Sequence, residues 1–309
     1  MESITLSDVA DALGLSVTTV SRALSGKGRV AESTQELVRS YISEHSYRPN
    51  RNAQALSLKR SFCIGVLVPM DALVNEVWFF HRALMSAVRT ASSFGYDTVV
   101  SVHDEGDSLK SLISTRKADG YILLRAIEND VNVHLLSSAD IPFAVIGTSA
   151  NEKAIAVACG DEDNASRLTD KLVSMGASSF LLILGDMRHT VNLERQRGVL
   201  RSTSDVDVIS GVIGKEDIER ALQNAECYDA VIAGDDLICS GILESVPAGR
   251  IKLLASLYPS PLLRHTDVIM AEGNDPTSLG ETAATLLIDR INNRKEISGN
   301  DMKNTEMEE

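Results

Sequence analysis

The 309-residue sequence predicts a small all-α head, a helix-turn-helix, followed by a large α/β core of two lobes, each a doubly wound parallel sheet. Two observations support this fold class. Residues 6–24 contain two short stretches with helical apolar spacing, separated by a glycine. From residue 62 onward, apolar runs of strand length alternate with amphipathic stretches of helix length, in two successive sets.

The head begins with two helices joined by a tight turn. The first is predicted to start just after Thr5, because Thr5 and Asp8 have the spacing of a capping box. It ends at Gly14, since glycine readily adopts the positive φ that turns the chain sharply. Ser16 is a suitable N-cap for the second helix. The apolar positions that we expect to pack between these helices are Val9, Ala10, Leu13, Val20, Ala23 and Leu24.

A third helix is predicted to begin at Ser33. Residues 33–36 read Ser-Thr-Gln-Glu, which is a second capping box. Apolar residues follow it at helical spacing, namely Leu37, Val38, Tyr41 and Ile42. Three helices suffice to enclose a small hydrophobic core.

A helix-turn-helix places its second helix in the major groove of DNA, with side chains at the base edges. Val17, Thr18 and Arg22 are the predicted base readers, because a guanidinium donates two hydrogen bonds to guanine and methyl groups contact thymine. The other predicted DNA-contact residues of the head, assigned to phosphate or capping roles, are Thr5, Ser16, Thr19 and Ser21. An ordinary helical hairpin with a polar outer face is the weaker interpretation, since the turn glycine, both caps and the arginine coincide.

Residues 47–58, Tyr-Arg-Pro-Asn-Arg-Asn-Ala-Gln-Ala-Leu-Ser-Leu, make the assignment more specific. With the helix-turn-helix, this run resembles the LacI/GalR family of bacterial transcriptional regulators, and the resemblance extends over nearly the whole chain. It implies a short hinge helix that orders on the operator and inserts a leucine between base pairs of the minor groove.

Carried onto this sequence, the resemblance makes Leu56 the inserted leucine. The residues expected to contact DNA around it are Tyr47, Asn50, Arg51 and Ala55. Gln54 and Ala55 stand where the family usually has an arginine and a serine, so one phosphate contact is expected to be missing. The alternative for Leu56 is a linker leucine that packs on the core.

The charge of the chain is divided unequally between head and core. The first sixty residues contain eight Lys or Arg and six Asp or Glu, whereas the remainder contains 22 and 37. Only the head therefore suits the phosphate backbone of DNA. The sequence shows no signal peptide, no apolar run of membrane-spanning length and no metal-binding spacing among its four cysteines. We expect a cytoplasmic protein without a membrane partner, metal or cofactor.

The core is predicted from two sets of apolar runs. The predicted strands are 62–68, 96–102, 121–124 and 143–146 in the first set, and 180–184, 206–209, 230–233 and 251–255 in the second. The family resemblance implies a periplasmic-binding-protein-like core, in which the last helix, near 278–292, returns to the first lobe.

These elements divide the chain into four predicted parts. The parts are a head (1–48), a hinge helix and linker (49–60), a core (61–298) and a disordered acidic tail (299–309). Within the core, lobe 1 is about 61–159 plus 273–298 and lobe 2 about 160–272.

Open α/β sheets bind ligands outside the carboxyl ends of their strands. We expect these ends of the two lobes to face each other across a cleft. By resemblance, Arg195 matches the arginine of the family's Arg-x-x-Gly motif, which holds ligand oxygens, and Asp235 matches a polar reader. A surface salt bridge with Glu194 or another nearby acid is the alternative for Arg195. The other candidate effector contacts are Leu73, Trp78, Arg125 and Asn274.

Two departures from the family pattern concern the effector. Gly147 and Leu257 stand where many sugar-binding relatives have carboxylates. Since Arg125 and Arg195 are kept, we expect an anionic effector such as a phosphorylated sugar. A regulator of the same fold whose DNA binding is independent of any effector is the alternative.

The sequence therefore predicts a sequence-specific transcriptional regulator, a repressor, that binds a palindromic operator in double-stranded DNA as a homodimer. A small-molecule effector in the cleft is expected to control it. An enzyme is not expected, because no phosphate-binding glycine loop, metal-ligand spacing or Gly-x-Ser-x-Gly motif is present. A solute-binding protein of the same core fold is disfavoured by the DNA-binding head.

Overall fold

The computed structural model describes residues 4–25, 30–45, 60–69, 77–247, 249–273 and 275–305. The chain forms two compact units, Met1–Phe62 and Cys63–Glu309. Several residues with predicted roles lie outside the described ranges: Tyr47, Asn50, Arg51, Ala55, Leu56, Leu73 and Asn274.

The first unit is a three-helix head. Its predicted capping box is confirmed, because the Asp8 amide donates to Thr5 Oγ1 at 3.3 Å and the Thr5 amide donates to Asp8 Oδ2 at 2.7 Å. Gly14 ends the first helix with a φ of 63°, as predicted. The helices are α1 (Leu6–Leu13), α2 (Val17–Ser25) and α3 (Glu32–Glu44). The fully buried side chains at their junction are Val9, Ala10, Val20, Ala23 and Val38.

The predicted N-cap of α3, Ser33, was wrong by two residues. The helix begins at Glu32 with Ala31 as its N-cap, and no side chain caps it. The Ala31 carbonyl already accepts hydrogen bonds from the amides of Thr34 and Gln35, so the chain turns before Ser33. Leu37 was also expected in the core, but half of its side chain is exposed.

The second unit contains two five-stranded parallel sheets, which confirms the predicted fold class. The first sheet has the order β2-β1-β3-β4-β5 and the second the order β10-β9-β8-β6-β7. Counted within each lobe, both orders are the same 2-1-3-4-5 arrangement, with a topological switch point at the cleft end. The strands are β1 (Cys63–Pro69), β2 (Asp97–His103), β3 (Gly120–Leu123), β4 (Phe143–Ile146), β5 (Ile155–Val157), β6 (Phe180–Ile183), β7 (Val206–Ile209), β8 (Ala230–Ala233), β9 (Leu253–Ser256) and β10 (Ile269–Met270).

Helices cover both faces of each sheet. In β6, for example, Leu181 and Ile183 pack into one apolar cluster, whereas Phe180 and Leu182 pack into another on the opposite face. The core helices are α4 (Val77–Ser93), α5 (Asp107–Ser114), α6 (Val131–Ser138), α7 (Asp161–Ser174), α8 (Thr190–Ser202), α9 (Lys215–Ala221), α10 (Asp236–Ser245) and α11 (Pro276–Thr305). Within the described ranges, no helix is both long and apolar enough to cross a membrane.

The last helix belongs structurally to the first lobe. It packs against α4 and against β3, β4 and β5, and it starts with a proline at a position where the missing N–H costs nothing. Its buried side chains facing that lobe are Ala283, Ala284, Leu287 and Ile288. Gly280 permits a close approach, because a Cβ there would lie 2.1 Å from the Ala83 carbonyl oxygen.

Two features of the core differ from the sequence prediction. The short strands β5 and β10 were not predicted, because two or three residues are too few for a period to show. The helix α11 continues to Thr305, past residue 299, where a disordered tail was expected to begin. Once a helix is nucleated, each further residue needs little free energy, and the polar residues of this segment do not stop it.

Candidate functional site

The head presents the predicted base readers on one face of α2. Val17, Thr18, Ser21 and Arg22 are exposed, whereas Val20 between them is fully buried. This arrangement follows from the helical period, which puts the apolar positions on the opposite side. The structure therefore brings these four residues together on one surface, and their contacts with DNA stay a prediction.

The remaining hydroxyl groups of the head have capping roles. The Thr19 amide donates to Ser16 Oγ at 3.1 Å, and the hydroxyl groups of Ser16 and Thr19 lie 2.8 Å apart. Hydrogen bonds from the backbone and hydroxyl of Thr5 hold the pKa of Asp8 below its usual value. Phosphate contact and helix capping were the two roles expected for these hydroxyl groups. The structure shows the capping role.

In the second unit, a cavity of about 480 Å³ lies between the two lobes. Its lining follows the carboxyl ends of strands in both sheets, which is the expected ligand position in open α/β folds. Arg125, Arg195 and Asp235 line this cavity, as predicted from the family pattern. A search of the described residues finds no group of His, Cys, Asp or Glu arranged to hold a metal ion.

Trp78 was expected to line the cavity and does not. Its ring lies 5.1 Å from the Arg82 guanidinium carbon on an exposed part of α4. The next two residues, Phe79 and Phe80, take its place in the lining, because they sit one and two positions further around the helix. The Phe79 ring faces Tyr258 of the other lobe, with 6.1 Å between ring centroids. Helical phase counted from the buried Ala83 is the signal that would have identified them.

Arg195 forms a buried ion pair with Asp161. Its Nε and Nη2 atoms lie 3.2 and 3.1 Å from Asp161 Oδ1, and the two side chains are 9% and 13% exposed. A salt bridge is therefore present, but it is buried and not on the surface as the alternative for Arg195 supposed, and its partner is Asp161 and not Glu194, which bonds to Thr148. Burial raises the pKa of Glu194. Asp161 comes from α7, thirty-four positions earlier, so local sequence gave no indication of it.

Arg125 follows β3 and crosses toward the second lobe. Its guanidinium carbon lies 4.9 Å from the Phe80 ring centroid, which is a cation–π geometry. Its Nη1 atom lies 3.4 Å from His189 Nε2. The side chain is buried, so its charge is held between an aromatic face and groups of the opposite lobe.

Asp235 caps the N-terminus of α10. Its Oδ1 atom accepts a hydrogen bond from the Ile238 amide at 2.8 Å. Burial raises the pKa of Asp235, and it also raises the pKa of the neighbouring Asp236. The cavity wall at this point is therefore built from carboxyl groups that lack full solvation.

The charges of the lining do not favour an anion. The lining contains three arginines, namely Arg125, Arg188 and Arg195. It contains five carboxylates, namely Asp161, Asp186, Glu194, Asp235 and Asp236. Two of the arginines already pair with carboxylates, Arg188 with Asp186 and Arg195 with Asp161. The expectation of an anionic effector rested on two kept arginines and two lost carboxylates, and the five carboxylates of the lining do not support it.

The two departures from the family pattern both lie at the cavity. Gly147 has a φ of 115°, and a Cβ there would lie 2.7 Å from the Ala126 Cβ, so no side chain fits without movement. Leu257 is buried and packs into the apolar cluster of the second lobe. Neither position offers a polar side chain to a ligand.

Comparison with known proteins supports the assignment made from the sequence. Residues 5–50 match the family described as bacterial regulatory proteins, lacI family. The chain is 26% identical over 216 residues to the transcriptional regulator MalR of Staphylococcus xylosus, which covers 68% of this chain and 64% of that protein. It is 27% identical over 317 residues to the regulator CelR of Thermobifida fusca, covering 93% and 92%.

Solved structures show the same fold. The lac repressor dimer bound to operator and the anti-inducer ONPF has a TM-score of 0.70 at 19% identity, covering 94% of each chain. A complex of the regulator CelR with cellobiose has a TM-score of 0.66 at 22% identity, again covering 94% of each. The head of this chain thus matches the lacI family of bacterial regulatory proteins over residues 5–50, and the chain as a whole is similar to transcriptional regulators and shares the two-lobed fold of the lac repressor.

Proposed function

We propose that this protein is a cytoplasmic, sequence-specific transcriptional repressor that binds a palindromic operator as a homodimer under the control of a small molecule. One observation carries the proposal: a helix-turn-helix with an exposed α2 face and a cavity between two lobes occur in one chain. The head supplies the DNA-binding surface, and the cavity supplies a second site whose occupancy changes the affinity of the first.

In this proposal, Val17, Thr18 and Arg22 contact base edges in the major groove. Leu56 enters the minor groove at the centre of the operator and bends the DNA, so that both heads of a dimer reach their half-sites. The Ser16 hydroxyl caps α2 and the Thr5 hydroxyl caps α1, and in this proposal the hydroxyl groups of the head also contact phosphates where the duplex approaches. Catalysis has no part in this function.

The homodimer is supported by an apolar patch on the first lobe. Val100 and Val102 are 51% and 40% exposed on β2, which is an edge strand, and Met85 of α4 is 51% exposed. Apolar residues clustered at a sheet edge favour association, and a two-fold dimer buries the same patch on both copies. The lac repressor, which has the same fold, was solved as a dimer on its operator.

We infer that the effector is rich in hydrogen-bond donors and carries no net negative charge. Carboxylates outnumber arginines in the lining by five to three. The side-chain oxygen of Asn192, a buried lining residue, has no hydrogen-bond partner among the described residues, so it suits a ligand hydroxyl or amine. A regulator that responds to no small molecule is the second candidate, and the Arg195–Asp161 pair favours it, because that arginine already has a counter-charge.

An in-vitro selection from a random double-stranded DNA library at near-physiological salt tests the DNA-binding part. We expect an enriched palindrome with a pyrimidine–purine step at its centre. Arg22→Ala is expected to relax preference at one position of each half-site, at a cost of about 1–3 kcal/mol per contact. Arg39→Ala, which removes an exposed arginine from α3, is the matched control and keeps the preference. Unchanged preference in Arg22→Ala would remove Arg22 from the readers.

The hinge is tested on the selected operator. Leu56→Ala is expected to spare the fold of the core while reducing operator bending and affinity. The bend angle is measured by energy transfer between labelled DNA ends. Retention of both bend and affinity would make Leu56 a linker residue.

Trp78 gives a direct test of the effector class. It is the single tryptophan of the chain and lies beside the two phenylalanines that line the cavity. We expect its fluorescence to respond to cellobiose or glucosamine and not to glucose 6-phosphate. A response to the sugar phosphate alone would restore the anionic effector, and no response to small molecules, with operator binding intact, would favour the effector-independent regulator.

A further inference from the structure

Two loops, one from each lobe, pair with each other across the cleft. Residues 126–128 follow β3 in the first lobe, and residues 188–190 lead into α8 of the second. Ile127 and His189 are partners in an isolated antiparallel bridge. We call these six residues the interlobe bridge.

Two backbone hydrogen bonds form the interlobe bridge. The Glu128 amide donates to the Arg188 carbonyl oxygen at 2.8 Å, and the Thr190 amide donates to the Ala126 carbonyl oxygen at 3.1 Å. A side chain adds to them, because Thr190 Oγ1 lies 3.4 Å from the Thr148 carbonyl oxygen, again across the cleft. Every one of these contacts joins one lobe to the other.

Side chains next to the interlobe bridge also cross between the lobes. The Nη1 atom of Arg125 in the first lobe lies 3.4 Å from Nε2 of His189 in the second. Four residues of the interlobe bridge line the cavity, namely Ala126, Arg188, His189 and Thr190. The interlobe bridge is therefore a wall of the cavity as well as a connection between its two sides.

Gly147 leaves room for the interlobe bridge. A Cβ at this position would lie 2.7 Å from the Ala126 Cβ and 3.6 Å from Thr190 Oγ1. A carboxylate at position 147 would need the space that Ala126 fills. The glycine that departs from the pattern of sugar-binding relatives thus stands where the backbone of the two lobes meets.

We propose that the interlobe bridge is a latch that holds the two lobes together, and that Gly147 is the residue that permits it. At this part of the cavity wall, the paired backbone of the two loops stands where many sugar-binding relatives have a carboxylate side chain. The biological purpose of the latch rests on the proposed function, since closing matters only if the cavity takes an effector. Its test needs neither DNA nor effector.

The latch is weak enough to open. A single hydrogen bond contributes modestly to a folded state, so we expect the loss of one to change the closed-to-open ratio by about 2- to 10-fold. Two such bonds hold the lobes closed for most of the time and still allow a small molecule to enter. A cleft held by apolar packing alone has no such discrete contact to break.

Thr190→Pro removes the backbone bond to Ala126 together with the hydroxyl contact to Thr148, and it leaves the bond of the Glu128 amide in place. Thr190 is the first residue of α8, where a helix makes no use of the amide, so proline is tolerated there. The preceding residue, His189, has φ −75° and ψ 116°, which is compatible with a following proline. Val131→Pro is the matched control, because Val131 is likewise the first residue of α6 and follows Asp130 at φ −60° and ψ 122°.

Hydrogen exchange at the Glu128 amide is the readout, in the full-length protein without DNA or added small molecules. We expect this amide to be protected in the unchanged protein and in Val131→Pro, and to exchange about 2- to 10-fold faster in Thr190→Pro. An unprotected Glu128 amide in the unchanged protein, or equal rates in both variants, would overturn the latch.

A disulfide gives an independent test that does not rely on weakening the fold. Ile127 and His189 form the pair without direct hydrogen bonds, in which the Cβ atoms of an antiparallel bridge lie closest. In a Cys227→Ser background, which removes an exposed thiol, Ile127→Cys with His189→Cys is expected to form a disulfide when oxidised glutathione is added as the oxidant, and to slow exchange at Glu128. Failure to form this disulfide contradicts the latch, whereas failure of the DNA selection contradicts the proposed function alone.

Discussion

The two lobes have the same strand order and face the same cavity, yet they line it with different chemistry. The wall from the first lobe contains a single charged side chain among the described residues, Arg125, together with Phe79 and Phe80. The wall from the second lobe contains seven charged side chains: Asp161, Asp186, Arg188, Glu194, Arg195, Asp235 and Asp236.

This difference shows that topology fixes where a wall lies, whereas the residues after each strand fix what it binds. The second lobe offers hydrogen-bonding groups, and the first lobe covers them with apolar surface. A cavity with one polar and one apolar wall orients a ligand that is itself two-sided, such as a sugar ring or an amine with a hydrocarbon face. Substitutions in each wall can test this division, and their expected effects differ in size.

The largest effect is expected for Arg195→Ala. Removing the arginine leaves Asp161 buried without its counter-charge, which costs about 3–5 kcal/mol in the free energy of unfolding of the core. Urea unfolding measures it. The double variant Arg195→Ala with Asp161→Ala is expected to recover part of the loss, since no charge is left unpaired. An equal loss in single and double variants would contradict a buried ion pair.

The apolar wall is tested by Phe80→Ala. This truncation creates a cavity and removes the ring that Arg125 faces, so we expect a loss of about 3 kcal/mol. We expect the loss of unfolding free energy in Phe80→Ala to change little with salt, because it comes from packing. The loss in Arg195→Ala, by contrast, comes from a charge left without its partner, so we expect it to change with salt. Urea unfolding at low and high salt distinguishes the two walls.

The head and the sheets could be predicted from sequence, because their signals are local. Thr5, Asp8 and Gly14 lie within ten residues of each other and define a helix by themselves. The partner of Arg195 could not be predicted, since Asp161 is distant in sequence and meets it only after two helices pack. The expectation of an anionic effector counted the kept arginines and the two lost carboxylates, and the carboxylates that other elements bring to the cavity could not be seen from those positions.

A smaller effect, with a defined sign, is expected for Asp235→Asn. Burial raises the pKa of Asp235 in the folded state, so this group contributes stability below its unfolded pKa and loses it as pH rises through the folded pKa. Asparagine keeps the cap and removes the charge. We expect the variant to match the unchanged protein near pH 4 and to be more stable at pH 8. At pH 8 we expect the free energy of unfolding to rise by about 1.4 kcal/mol for each unit by which the folded pKa exceeds the unfolded pKa.

Asp186→Asn is the control of opposite sign. Hydrogen bonding to Arg188 lowers the pKa of Asp186 to about 2, so this carboxylate contributes stability above its unfolded pKa and loses it in acid. The asparagine variant is therefore expected to be less stable at neutral pH, with the difference closing as pH falls toward 2. Denaturation over a pH series measures both variants, and parallel curves would contradict the assigned pKa directions.

The smallest effect is expected for Arg188→Ala. The Arg188 side chain is 72% exposed although it pairs with Asp186 at 2.7 Å, and exposed pairs contribute about 0–1 kcal/mol. Urea unfolding is expected to detect little change beside the loss in Arg195→Ala. A loss of several kcal/mol would mean that Arg188–Asp186 is as buried as Arg195–Asp161, and the contrast between these two ion pairs of the cavity lining would fail.

The position of α11 has a consequence for how the chain is made. The second lobe is one continuous stretch, whereas the first lobe needs α11 to cover β3, β4 and β5. On the ribosome, the second lobe has all of its residues while the first still lacks a helix and exposes the apolar surface that Leu287 and Ile288 later bury. The lobe that is synthesised first is therefore the one completed last.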